Sequence, residues 1–302
     1  MISFEGQCVV VTGAGRGLGR VYAAEVVARG GAVVVNDVDF DAAEQVSESL
    51  GARAIASGDS VATAEGGAAI IARALKHFGR VDALVHNAGA WCNGTFAELG
   101  PEFVDPVLDV HLRGAFHVAR PAWQAMLTQE YGRVVLISSG AGAFGRTHGA
   151  NYCAAKAGLL GLGRALALEG AEHGIRANCV LPIANTAAGR PPRSGAAEHV
   201  RRATELFDRL GDHGRPELVA PIVSLLASED CPVSGEAFSA CGGRFARLVI
   251  GLTPGWVAPG DGAASAEDVL DHFDEIEARN DDLFLPESVM NEIEAVVALV
   301  GG

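Results

Sequence analysis

The chain has 302 residues, 49% of them hydrophobic and 20% charged, and carries a formal net charge of −14. Such a composition belongs to a folded protein with a sizeable core, and the acidic balance without any basic run argues against nucleic acid as a partner. No apolar stretch has the length of a membrane span and the start MISFEGQCVV lacks the features of a leader, so the expectation is a cytoplasmic protein with no membrane partner.

The predicted elements begin with an apolar run at residues 8–11. Further β-branched runs follow at 32–35, 81–85, 134–137 and 177–181, separated by longer helical patterns. Strands that alternate with helices, and that are continuously apolar rather than alternating, imply an α/β fold: a Rossmann-type doubly wound parallel sheet covered on both faces. Leu18, Val21, Tyr22 and Val26 recur at helical spacing, and Gly30-Gly31 closes that helix.

Between the first strand and this helix the chain reads Thr12-Gly13-Ala14-Gly15-Arg16-Gly17-Leu18-Gly19. Glycines there allow a tight turn and bring backbone N–H groups at a helix N-terminus close to a pyrophosphate. The spacing is G-x-x-x-G-x-G, and alone it is a weak signal that a purely structural turn also gives. Its context, strand then turn then helix with Asp37 at the end of the second strand, points to a dinucleotide. A carboxylate at Asp37 would accept from adenosine ribose hydroxyls and repel a 2′-phosphate, so the expected cofactor is NAD. Arg16 argues the other way, but Asp37 would be its close anionic neighbour.

Further along, Tyr152 and Lys156 stand at i and i+4 on one helix face, preceded by Ser139 at the end of an apolar strand. Unit charges ~5 Å apart at an effective dielectric of ~20 interact by about 3 kcal/mol. That is roughly two pKa units, enough to bring a phenol towards service as a base near neutral pH. The bland alternative is a surface Tyr beside a solvated Lys.

Residues 183–216, rich in Ala, Gly, Pro and Arg, read as a mobile substrate lid rather than a strand or long core helix. Two helices are expected near the C-terminus, one opened by a capping box at Ser265 and Asp268, the other with Pro286 at its first position. The expected organisation is therefore a dinucleotide-binding and catalytic domain at 1–245 and a helical extension at 246–302. The six cysteines (Cys8, Cys92, Cys153, Cys179, Cys231, Cys241) contain no C-x-x-C pair and read as reduced, mostly buried thiols, with no metal site.

In order and spacing, the glycine turn, Asp37, Asn87-Ala88-Gly89, Ser139, Tyr152 and Lys156 resemble the short-chain dehydrogenase/reductase family over residues 6–243. The resemblance implies oxidation of an alcohol or reduction of a ketone with a nicotinamide cofactor. By it, Tyr152 exchanges the proton, Ser139 orients the reacting oxygen, and Lys156 holds the nicotinamide ribose and lowers the Tyr152 pKa. It also implies a cofactor site that takes in Gly13, Arg16, Gly17, Leu18, Gly19, Asn87, Ala88, Gly89 and Pro182. Asp59, Ser60 and Val61 are similar to the family's adenine contact, though Asp59 reads equally as a surface carboxylate. Asn87 is expected to lock the central sheet.

One departure stands out: His111 occupies the position where the family usually has Asn. By the resemblance, that Asn shapes a helix and supports a water leading to Lys156; His111 reads as doing both, as an added titrating group in the catalytic set, or as a purely structural imidazole. His111 with the following Leu112-Arg113-Gly114 is similar to the dehydrogenase unit of peroxisomal multifunctional enzyme type 2, which oxidises (3R)-hydroxyacyl-CoA esters. No hydratase or sterol-carrier segment follows, so a free-standing relative is expected.

These readings favour a lipid-like secondary alcohol, either a 3-hydroxyacyl-CoA or a hydroxysteroid, as a small-molecule substrate, and Trp91 and Phe144 read either as apolar pocket walls or as core or subunit-contact residues. The alternatives are a sugar or polyol ketone reductase and a non-catalytic NAD-sensing regulator. Arg190, Arg193, Arg201, Arg202 and Arg215 read either as a solvated face paired with Glu198, Glu205 and Asp208 or as contacts to CoA phosphates. Family resemblance implies a homodimer or homotetramer.

Overall fold

The structure is a computed structural model that describes residues 1–185, 198–259, 263–278 and 283–300. Its strands are β1 (Cys8–Thr12), β2 (Ala32–Asn36), β3 (Ala54–Ser57), β4 (Ala83–His86), β5 (Gly132–Ile137), β6 (Ile175–Pro182), β7 (Ala237–Cys241) and β8 (Arg244–Arg247). They form one sheet in the order β3-β2-β1-β4-β5-β6-β7-β8, parallel except for β8, which runs antiparallel to β7. β1, β4 and β5 are buried at every position, which is why they read as unbroken apolar runs. Because β1 pairs with β2 on one side and β4 on the other, the strand order reverses there. Open α/β sheets bind ligands at the carboxyl end of that crevice.

The helices are α1 (Gly17–Ala28), α2 (Phe40–Leu50), α3 (Ala64–Phe78), α4 (Pro101–Leu108), α5 (Gly114–Gln129), α6 (Gly140–Phe144), α7 (Ala150–Gly170), α8 (Glu198–Leu210), α9 (Ala220–Ala227), α10 (Ala266–Asp271), α11 (Phe273–Glu277) and α12 (Val289–Val300). Tyr22 and Val26 of α1 and Val223 and Leu226 of α9 pack with Val9, Val11, Val33 and Val35 into one core. Helices α3, α5 and α7 pack on the sheet as well, α3 and α5 against each other. No described helix is long and apolar enough to cross a membrane.

Several boundaries differ from the sequence expectations, each for a local reason. The strand expected at 81–85 starts at Ala83, because the Gln129 amide takes both the N–H and the carbonyl of Val81. Strands β3, β7 and β8 carry alanine, serine and arginine in place of a β-branched run. The turn between β7 and β8 is made by Gly242 and Gly243 at φ +59° and +81°, and Arg247 pairs with Glu236 at 2.5 Å across that edge.

The segment at 183–216 is less irregular than expected, since α8 occupies 13 of its residues. Its sequence, EHVRRATELFDRL, is made largely of good helix formers. Arg190 and Arg193 lie outside the described residues, Arg201 and Arg202 are exposed on α8, and the Arg215 guanidinium donates to the Asp212 carbonyl. All six cysteines are free thiols, but only Cys8, Cys179 and Cys231 are buried, fewer than expected.

The chain divides into two compact units, 1–247 and 248–302. Within the second, Leu252 and Phe284 form an antiparallel bridge and the expected capping box opens α10. Pro286 is not the first residue of the last helix: α12 begins at Val289, where the Ser288 hydroxyl accepts from the Asn291 N–H, and a side-chain cap defines the start better than a proline.

Candidate active site

The glycine turn lies at the carboxyl end of β1. Gly13 sits at φ +62°, and a Cβ there would come within 2.7 Å of the Ala88 backbone, so only glycine lets the turn lie against the end of β4. Asn87 clamps this contact by donating through Nδ2 to the carbonyls of Gly13 (2.9 Å) and Thr12 (3.2 Å). The Thr12 hydroxyl in turn accepts from the backbone N–H of Asn87 and of Ala88, both at 3.1 Å. Gly17, Leu18 and Gly19 open α1, whose N-cap residue Arg16 makes no side-chain cap hydrogen bond. The N-terminus of a 12-residue helix thus carries backbone donors without a capping side chain beside a glycine cradle, and that arrangement fits a pyrophosphate.

Asp37 follows the last residue of β2. Its carboxylate accepts from the N–H of Gly15 (3.0 Å) and of Asp39 (3.1 Å), which holds it at the turn. The anionic neighbour of Arg16 is Asp39, not Asp37 as the sequence suggested. The chain bends after β2 and presents the Asp39 side chain to the guanidinium, leaving Asp37 to the backbone amides. Asp59 accepts from the Ser57 hydroxyl at 2.9 Å and lies 4.0 Å from Arg73, while its carbonyl accepts from Asn36. Val61 is buried, Ser60 caps the Ala62 N–H, Gly89 continues the loop after β4, and Pro182 ends β6.

The second group of residues meets at the ends of β5 and α7. Ser139 caps α6, its hydroxyl accepting from the Ala141 N–H at 3.2 Å, and it stands near enough to the Tyr152 phenol to favour the anion. Lys156, one turn along α7, is wholly enclosed: its Nζ donates to the Ile137 carbonyl at 2.6 Å and lies 5.7 Å from the Tyr152 ring centre. The neighbouring Ser138 hydroxyl donates to the Lys156 carbonyl at 2.7 Å and ties β5 to α7. Asn151 anchors the start of the helix by donating to the carbonyls of Cys92 and Phe103.

The electrostatics here correct one expectation. Burial raises the Tyr152 pKa, opposed by the Ser139 hydroxyl and by the charge of Arg146. Burial also drives Lys156 down to about 7. The Lys–Tyr spacing is as expected, but the enclosure that brings the ammonium near the phenol also destabilises the ammonium. In this state Lys156 is not what lowers Tyr152.

His111 lies in a π-helical turn, Asp109–Arg113, between α4 and α5. Its Nε2 meets Ala90 at both backbone atoms, the carbonyl at 2.8 Å and the N–H at 3.1 Å, and only one of the two is a hydrogen bond in a given tautomer. Burial pushes its pKa well below the ordinary histidine value, with the Lys156 charge adding to that. Burial therefore favours the neutral imidazole of the structural reading over a group that titrates in the usual histidine range. Its ring stands edge-on to Tyr152, 5.2 Å between centres.

Three residues at the site escaped the sequence reading. His86, the last residue of β4, links the two halves: Nδ1 meets the Thr12 hydroxyl and Nε2 the His111 carbonyl, both at 3.2 Å. Its signal was a polar residue ending an apolar strand next to Asn87. Thr12 stood in the open as the residue before the glycine turn. Arg146 had no signal, because its approach to Tyr152 depends on the path of the loop before α7.

Comparison with known proteins adds an independent line. A family described as short chain dehydrogenase matches residues 7–192. A protein of Mycobacterium tuberculosis, named as a short-chain type dehydrogenase/reductase, is 40% identical over 291 residues, covering 91% of this chain and 96% of that protein. Peroxisomal multifunctional enzyme type 2 of Mus musculus is 38% identical over 82% of this chain, which spans only 33% of the mouse protein. The crystal structure of a short chain dehydrogenase from Mycobacterium avium superposes with a TM-score of 0.76 at 31% identity, covering 91% of this chain and 97% of that one.

Proposed function

The chain belongs to the short-chain dehydrogenase family and is an oxidoreductase, and from that premise we propose that it uses NAD to interconvert a secondary alcohol and a ketone at C3 of an acyl thioester. The observation that carries the reading is the meeting of Ser139, Tyr152 and Lys156 at the carboxyl edge of the sheet, where Lys156 Nζ donates to the Ile137 carbonyl and lies 5.7 Å from the Tyr152 ring centre. The substrate class rests on the likeness to the mouse multifunctional enzyme and on exposed aromatic surface near the site, Trp91 stacked on Tyr152 and Phe144 ending α6.

Gly13, Gly17 and Gly19 would hold the pyrophosphate against the α1 amides, and Asp37 would exchange one of its backbone donors for ribose hydroxyls. Asp37 and Asp39 would both oppose a 2′-phosphate bound at this turn, and Arg16 is already engaged by Asp39. That charge pattern favours NAD over NADP. When bound, the nicotinamide supplies the acceptor for the carbinol hydride. The residues of the chain handle the proton: Tyr152 Oη takes it from the substrate hydroxyl, and Ser139 Oγ holds the reacting oxygen. Lys156 would hold the nicotinamide ribose, and His111 keeps the loop at Ala90 in place. The active form is proposed to be a homodimer or homotetramer, checked by light scattering on the purified protein.

The test is a screen for NAD reduction over (3R)- and (3S)-hydroxyacyl-CoA, hydroxysteroids and polyols, with Tyr152→Phe as control. Activity should be highest with a hydroxyacyl-CoA, and the variant should lose roughly 10²- to 10⁴-fold in kcat with its NAD affinity unchanged. Turnover confined to steroids or polyols overturns the substrate class, and a Phe variant with full kcat overturns the role of Tyr152.

A further inference from the structure

Tyr152 is covered on its outer side by an aromatic and a cationic layer. Trp91 stacks on its ring, 4.7 Å between centres and 19° from parallel. The Arg146 guanidinium lies 5.5 Å from the Tyr152 ring centre and 5.6 Å from that of Trp91. It is held there by a 2.6 Å hydrogen bond from Nη2 to the Asn93 side-chain oxygen. The path of the side chain is built into the loop. A Cβ at Gly149 would come within 2.6 Å of Arg146 Nε, and His148 adopts φ +59° to turn the chain.

We propose that Arg146 is a positioning residue for Tyr152: its guanidinium, pinned over the Trp91–Tyr152 pair, holds the phenol towards Ser139 and stabilises its anionic form during proton transfer. The inference rests on Tyr152 as the proton acceptor. The polar groups that face the phenol are the Ser139 hydroxyl at the end of β5, Cys153 and Lys156 on α7, His111 from the π-helical turn, Cys92 from the loop after β4, and Arg146. Ser139 is neutral, burial keeps His111 neutral, a thiolate at Cys153 would oppose the phenolate, and Lys156 at about 7 is only partly charged at neutral pH. A guanidinium keeps its charge throughout this range, so Arg146 is the permanent cation of the set.

The chain has three tyrosines, Tyr22, Tyr131 and Tyr152, and burial raises the first two as well. Phenolate absorbance of the cofactor-free protein, with the Tyr152→Phe titration subtracted, therefore reports Tyr152 without any substrate. Arg146→Gln should move that midpoint to higher pH, because removing a cation disfavours the anion, and Arg146→Lys should move it less. The alkaline-rising limb of kcat should follow, with kcat at pH 7 roughly 3- to 10-fold lower in the Gln variant and KM for the dinucleotide unchanged. Asn93→Ala, which frees the guanidinium without removing its charge, should give an intermediate displacement and serves if the Gln variant does not fold. A midpoint equal to the wild type in Arg146→Gln, or in Asn93→Ala where that variant stands in, overturns the proposal even if kcat falls, since a structural role alone would leave the midpoint in place. Full activity in Tyr152→Phe would instead break the reading of Tyr152, while the coupling of Arg146 to the phenol would still be read from the absorbance.

Discussion

At the scale of single residues, Asp37 shows how a side chain is held ready without a ligand. Its two oxygens accept from the Gly15 and Asp39 amides, so the carboxylate sits at the lip of the glycine turn already oriented. On the proposed placement at the adenosine ribose, replacing it with alanine would take a charged acceptor from two hydroxyls and relieve repulsion of a 2′-phosphate. Hydrogen bonds to a charged group contribute about 1.5–3 kcal/mol, or roughly 10- to 100-fold in binding. Asp37→Ala should lower kcat/KM with NAD by that order and raise it with NADP. The two dinucleotides compared in steady-state kinetics check this, and an unchanged preference would remove Asp37 from the cofactor site.

At the scale of elements, the π-helical turn between α4 and α5 depends on two imidazoles. The turn is closed by the Gly114 N–H on the Asp109 carbonyl, and it places the His111 carbonyl where His86 Nε2 meets it. The His111 ring then holds Ala90, the residue before Trp91. His111→Leu keeps the bulk but leaves a part-buried backbone group of Ala90 without its partner, an expected loss of about 1–3 kcal/mol. Urea unfolding measures it, with His111→Gln recovering part of the loss. Trp91 fluorescence should change in the Leu variant, because the loop that stacks it on Tyr152 is released.

For the molecule as a whole, the buried bases set the response to acid. Burial pushes His86 down to about 4 from an ordinary value near 6.5. Between those two pH values the unfolded chain binds a proton that the folded chain does not, so stability falls as pH drops from about 6.5 to about 4. Lys156 acts with the same sign higher up: stability rises as pH increases from about 7 towards the unfolded lysine value of about 10. His86→Gln should lessen the slope between pH 6.5 and 4, leaving the part that the buried His111 contributes with the same sign, and should not change the slope above pH 7. Urea midpoints across the range test this, and a wild-type slope in the variant would assign the acid sensitivity elsewhere.

Much of this was legible in one dimension. The apolar runs at β1, β4 and β5 follow from burial on both faces, and the glycine turn, Asp37, Ser139, Tyr152 and Lys156 were identifiable because their chemistry depends on residue type at fixed local spacing. The Ser265 cap was readable for the same reason: its partner is three residues away. What lay beyond the sequence was everything set by residues distant along the chain. The weak strands β3, β7 and β8 exist because an adjoining strand offers an unpaired edge. His86 meets Thr12 from 74 positions away, and Arg146 reaches Asn93 across 53. The charge states of Lys156 and His111 depend on enclosure, which spacing does not encode. Local pattern therefore determined the fold class and named the candidates for the site, whereas tertiary packing decides how burial shifts their charge, because desolvation is a property of the surroundings in space and not of neighbours in sequence.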